Sequence, residues 1–184
     1  VTTGYNGVTF GTTWGYSICK TKIAGCISIT GPTTKVDVVG LCVSGTGASP
    51  MLVSGGALAT ISQCVFEVTS GDYTVLAISQ LSYADVSYCG VVPASDSVGY
   101  GVMISQVSSG LFTNSFIMSP GTIAAGLYCG GNSFMAVLSS GVYNGLRGIQ
   151  CQWNSMISAY SLFYTGACTT PRSPATSSDG AHIQ

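Results

Sequence analysis

Tyr100-Gly101-Val102-Met103-Ile104-Ser105-Gln106 decides the fold, because the chain writes the same pattern four times. Thr74-Val75-Leu76-Ala77-Ile78-Ser79-Gln80 precedes it. Ala125-Gly126-Leu127-Tyr128-Cys129-Gly130-Gly131 and Arg147-Gly148-Ile149-Gln150-Cys151-Gln152-Trp153 follow, at spacings of 26, 25 and 22 residues. One column reads Leu76, Val102, Leu127, Ile149. The column two residues on reads Ile78, Ile104, Cys129, Cys151. Between them stand Ala77, Met103, Tyr128 and Gln150, and then Ser79, Ser105, Gly130 and Gln152. Apolar residues alternate with others at period two, which describes strands with one buried face.

A second strand family precedes the first. Ile61-Ser62-Gln63-Cys64-Val65-Phe66 matches Val86-Ser87-Tyr88-Cys89-Gly90-Val91 after 25 residues, and Thr113-Asn114-Ser115-Phe116-Ile117-Met118 follows 27 later. Both parities are apolar here, so the outer face of these strands is expected to be covered. A third echo sets Asn132-Ser133-Phe134-Met135-Ala136 against Asn154-Ser155-Met156-Ile157-Ser158. An earlier coil is legible from Cys26 to Cys42, which resembles Cys64 to Ile78. Gly, Ser, Asp and Asn fill the gaps, as turns require. No helical stripe of useful length occurs. Short strands recurring every 22–27 residues predict an all-β, right-handed parallel β-helix of about six coils. A β-sandwich with chance periodicity is the alternative. The repeat spans 21–168. Residues 1–20 read as a cap or neck, and 169–184 as an extended tail.

Composition narrows the function. The chain has 184 residues and 11 charges, with net charge −1. Gly, Ser and Thr supply 70 residues. In a parallel stack each residue faces its counterpart one coil away, and like charges directly opposed repel. Ser, Thr, Gly and Gln stack without that cost. Clustered Lys and Arg are missing, so nucleic acid is not an expected partner. No apolar run approaches the ~18–20 residues of a membrane helix, so membrane insertion is not expected either. Gly45-Thr46-Gly47-Ala48-Ser49-Pro50 lacks the Lys of a phosphate-binding loop. No cofactor is implied. The chain carries no initiator Met and no signal-peptide pattern, and reads as a mature or excised fragment.

Eight cysteines lie at 19, 26, 42, 64, 89, 129, 151 and 168, with no C-x-x-C and a single His182. A Cys₂His₂ zinc site is thereby excluded, and no metal is predicted. The cysteines read as stacked core side chains with free thiols. In-register neighbours such as Cys129 and Cys151 also fit the Cα separation of a disulfide.

Candidate catalytic residues are few. A glycosidase needs two carboxylates about 5–10 Å apart, and Asp72, Asp96 and Glu67 are the available set. Gly71-Asp72 and Ser95-Asp96-Ser97 are also ordinary turn sequences. Aromatic residues are the better candidates, because sugar rings stack on exposed aromatic faces while their hydroxyls bond to amides. Tyr73, Tyr88, Tyr100, Tyr128 and Trp153 lie among such partners, with Tyr88 and Tyr128 facing outward by the alternation. Packing between subunits is the competing role for these rings.

With these columns, and with segments such as Gly126-Leu127-Tyr128-Cys129-Gly130-Gly131-Asn132-Ser133-Phe134 and Gly148-Ile149-Gln150-Cys151-Gln152-Trp153-Asn154-Ser155-Met156, the chain resembles the parallel β-helix of phage tailspikes and tail-fibre tips. The likeness covers roughly 20–168. It is architectural, and pectate lyases share it. The chain is shorter and less charged than β-helix enzymes of that kind. The resemblance implies a homotrimer on a virion or other extracellular surface, binding a bacterial surface polysaccharide and in some cases cleaving it. The expected function is therefore a viral or phage fibre tip that attaches to a host glycan. An extracellular polysaccharide lyase or hydrolase and a structural filament subunit are the alternatives.

Overall fold

The computed structural model describes residues 21–94, 99–118, 123–144, 146–165, 170–173 and 180–184. They form strands and turns without a helix. Three strands make one coil, and the coil recurs seven times. The first holds β1 (Thr21–Ala24), β2 (Ile27–Thr30) and β3 (Lys35–Val39). The second holds β4 (Leu41–Thr46), β5 (Met51–Ser54) and β6 (Leu58–Ser62), and the third β7 (Val65–Ser70), β8 (Leu76–Ile78) and β9 (Tyr83–Ser87). Next come β10 (Gly90–Val92), β11 (Tyr100–Ile104) and β12 (Ser109–Thr113), then β13 (Phe116–Met118), β14 (Ala125–Cys129) and β15 (Phe134–Leu138). The last two coils are β16 (Gly141–Tyr143), β17 (Arg147–Cys151) and β18 (Met156–Tyr160), then β19 (Phe163–Thr165), β20 (Thr170–Ser173) and β21 (His182–Ile183).

Corresponding strands pair in parallel into three seven-stranded sheets. The first runs β1-β4-β7-β10-β13-β16-β19, the second β2-β5-β8-β11-β14-β17-β20, and the third β3-β6-β9-β12-β15-β18-β21. This is a parallel β-solenoid, not a sandwich. Seven strands per sheet differ slightly from the six coils expected. The final coil draws on Thr170–Ser173 and His182–Ile183, which pair with β17 and β18 beyond the reach of the sequence repeat.

The columns read from the sequence are register partners. Leu76, Val102, Leu127 and Ile149 align, as do Ile78, Ile104, Cys129 and Cys151. These side chains lie in one continuous core with the inward residues of the other sheets, such as Ile61, Phe66, Phe112, Ile117 and Met135. Burying a side chain of this size stabilises by about 1.5–3 kcal/mol.

One alignment is corrected. The 27-residue spacing set Thr113 against Val86, but Thr113 pairs with Ser87 and Phe112 with Val86. A one-residue slip reverses which face each side chain occupies. Because both parities of this family are apolar, the sequence pattern did not forbid it.

The sparse charges suit the stack. On the outer face of the third sheet Asp37 and Asp85 share a column, but Thr60 stands between them.

Candidate functional site

Two of the three corners follow a stacked rule. Between the second and third sheets the second to sixth coils each place two consecutive residues in the left-handed region. They are Gly55-Gly56, Gln80-Leu81, Gln106-Val107, Gly131-Asn132 and Trp153-Asn154, with φ from 54° to 82°. A β-branched Val107 in that region is a conformational outlier. The corner is held from inside by buried serines. The backbone N–H of Ser82 donates to Ser108 Oγ at 3.2 Å, Ser108 to Ser133 at 3.2 Å, and Ser133 to Ser155 at 3.0 Å. Leaving one such buried donor unpaired costs about 1–3 kcal/mol.

Outside this corner three predicted ligand-binding residues meet on consecutive coils. The rings of Tyr100 and Tyr128 stack with centroids 4.4 Å apart and planes at 27°. Tyr128 meets Trp153 edge to face at 6.4 Å and 80°. Both geometries are favoured for aromatic pairs. Tyr128 Oη donates to Gln152 Oε1 at 3.4 Å.

Glycine makes room for this ladder. A Cβ on Gly130 would stand 2.5 Å from Tyr128 Oη, so the ring lies across the space a side chain at 130 would fill. Gly101 and Gly126 are equally constrained from inside. A Cβ there would meet Ile117 at 2.7 Å and Val142 at 2.5 Å respectively, side chains of the core.

The alternation placed Tyr128 outward. It does lie on the outer face, yet it is only 4% exposed because its neighbours cover it. Trp153 is the accessible end of the ladder, at 62% exposure. Exposed amides flank it: Asn154 Nδ2 donates to Asn132 Oδ1 at 3.0 Å, and Gln106 stands two coils back on the same ridge. Arg147 is tied to Gln150 Oε1 at 3.0 Å. Gly130, Gln152 and the Asn132–Asn154 bond were not singled out as functional from sequence. Only the echo of Asn132-Ser133 in Asn154-Ser155 hinted at the last.

The remaining candidates lie elsewhere. Tyr73 is exposed in the turn before β8, and a Cβ on Gly71 would meet its ring at 2.8 Å. Tyr88 is exposed at the corner between the third and first sheets, away from the aromatic ladder. Glu67 accepts a 3.3 Å hydrogen bond from Ser44 and lines a shallow cavity of about 400 Å³ with Lys22, Ala24 and Cys42. Asp72 is exposed in the turn after β7. Asp96 lies outside the described residues. Among the described residues no three His, Cys, Asp or Glu side chains converge as a metal site.

The cysteines divide. Cys64, Cys89, Cys129 and Cys151 are free and buried, in keeping with stacked thiols. Cys26 is free but exposed, and Cys42 is disulfide-bonded, which corrects the uniform expectation of free core thiols. Cys19 and Cys168 lie outside the described residues.

The fold defines the class of the chain as a parallel β-solenoid. No protein-family model, curated protein or solved structure matches it.

Proposed function

We propose that this chain binds rather than transforms its ligand: it is the receptor-binding tip of a viral or phage fibre, attaching to a host surface polysaccharide. The observation that carries the reading is the ladder Tyr100–Tyr128–Trp153, with Trp153 exposed at its end. An exposed indole presents an apolar face to a sugar ring. Gln106, Asn132 and Asn154 on the same ridge supply donors and acceptors for hydroxyls. The buried stack behind Trp153 limits its freedom, so less ordering is needed on binding. With Arg147 held by Gln150, the amides rather than a cation face the ligand, which favours a neutral glycan.

Self-association as a homotrimer completes the proposal. The outer face of the third sheet supports it, because Phe134, Leu138 and Tyr160 stand exposed on the C-terminal coils. Contiguous exposed apolar surface is uncommon on monomers. A virion-surface location follows from this reading.

A glycan-array screen tests binding, paired with Trp153→Ala. The variant should bind its best glycan about tenfold more weakly, the equivalent of one aromatic contact. Unchanged affinity would remove the ladder from the site. A native mass measurement tests the trimer, and a monomer at micromolar concentration would exclude it.

A further inference from the structure

Four of the five free cysteines among the described residues come as neighbours on consecutive coils. Cys64 and Cys89 stand side by side at the corner between the third and first sheets. The residues that follow them, Val65 and Gly90, are register partners, and Gly90 N–H donates to the Cys64 carbonyl at 2.9 Å. Cys129 and Cys151 are register partners within the second sheet. Parallel neighbours lie about 4.8 Å apart, inside the ~4.4–6.8 Å Cα window of a disulfide. Within each pair the two thiols lie close enough to perturb each other's ionisation.

Adjacent coils show what these positions need structurally. Ser115 and Ser140 continue the column of Cys64 and Cys89. They donate to the carbonyls two residues back, Thr113 at 2.7 Å and Leu138 at 2.8 Å. Cys64 and Cys89 make the same bond through sulfur, to Ser62 at 3.1 Å and Ser87 at 3.2 Å. A hydroxyl is the stronger donor, so hydrogen bonding does not call for cysteine. In the second sheet Ile78 and Ile104 fill the column that Cys129 and Cys151 continue, so core filling does not call for it either. What paired thiols add in both places is redox chemistry, and Cys42 shows that this chain already carries a disulfide.

We propose that Cys64/Cys89 and Cys129/Cys151 are two oxidation sites, each closing to a disulfide that staples consecutive coils. Glutathione disulfide serves as the oxidant. The Cys64 thiolate attacks one of its sulfurs, forming a mixed disulfide and releasing one glutathione thiolate. The Cys89 thiolate then attacks the Cys64 sulfur, expels the second glutathione and completes the bond. Two protein thiols give up two protons and two electrons, and the oxidant leaves as two glutathione molecules. Cys129 and Cys151 react with the same stoichiometry. Cys64 is the entry nucleophile, because the Cys89 thiol beside it draws its pKa down to about 7 while burial holds Cys89 well above the usual range. The neighbouring Cys151 thiol and burial hold Cys129 well above the usual range, so the second pair closes more slowly.

The test takes the full chain, fully reduced, and equilibrates it with excess glutathione disulfide. One arm stays in native buffer and the other passes through unfolding and refolding, so that burial does not hide a reactive pair. After alkylation and digestion, the expected peptides are Cys64 linked to Cys89 and Cys129 linked to Cys151, the first forming sooner. Cys89→Ser, which places the native residue of the next two coils at that position, should leave Cys64 as a persistent glutathione adduct. If all four thiols alkylate as free cysteine in both arms, or pair with other cysteines, the proposal is overturned.

Discussion

The two corners that flank the third sheet use the same backbone device and carry different surfaces. Between the third and first sheets a single left-handed residue turns the chain: Gly40, Gln63, Tyr88, Asn114, Ser139 or Ser161. Behind it stand Cys64, Cys89, Ser115 and Ser140, with Cys89 N–H donating to Ser115 Oγ at 2.9 Å and Ser115 N–H to Ser140 Oγ at 3.3 Å. Between the second and third sheets two left-handed residues turn the chain, and Ser82, Ser108, Ser133 and Ser155 stand behind. Both corners solve one problem, a sharp turn whose inward backbone groups must find partners away from water. The buried serine column therefore does not mark a site. Tyr88 lies exposed on the first corner, while Trp153 on the second meets Tyr128 and, through it, Tyr100. Side chains laid on equivalent corners make the difference.

The comparison rests on a core common to both corners, and the largest effect comes from breaking that core. Leu127→Ala removes a fully buried side chain between β11 and β17 and should cost about 2–5 kcal/mol in urea unfolding. A loss below 1 kcal/mol would mean that the coils are not packed as described. Next come the ladders themselves. Ser115→Ala and Ser133→Ala each strip a partner from a buried backbone N–H, so each should cost about 1–3 kcal/mol. Similar losses would establish the corners as energetic equivalents. A large loss at one and none at the other would break the analogy. The smallest effect on stability separates the corners by function. Trp153→Ala gives up the edge-to-face contact with Tyr128 and should cost about 0.5–1.5 kcal/mol, while Tyr88→Ala should stay within about 0.5 kcal/mol of the parent. Only the first should weaken glycan binding, and equal loss from both would place the site on two corners at once.

The sequence carried much of this fold for a direct reason. A parallel stack repeats its side-chain pattern, so register appears as columns such as Leu76, Val102, Leu127 and Ile149. It failed where the pattern was symmetric to a slip. Setting Thr113 against Val86 placed Phe116 below Cys89 and hid Ser115, the true next member of that ladder. The variable connections between the first and second sheets allow such slips. They change the coil length from 20 residues between Thr21 and Leu41 to 26 between Gly90 and Phe116. The site was legible as a set of residue types, and less so as a place. Alternation assigned Tyr128 to the outer face but was silent on its neighbours, and it is the ring of Tyr100, the absence of a side chain at Gly130 and the indole of Trp153 that bury it.

By itself, the sequence determined that this chain coils into parallel strands with aliphatic columns inside, because hydrophobic burial at a fixed period admits few other arrangements. Only the tertiary structure decided which aromatics touch and that Ser115 follows Cys89 in its column. Those contacts join residues 20 or more positions apart, and their geometry depends on the exact length of each loop between.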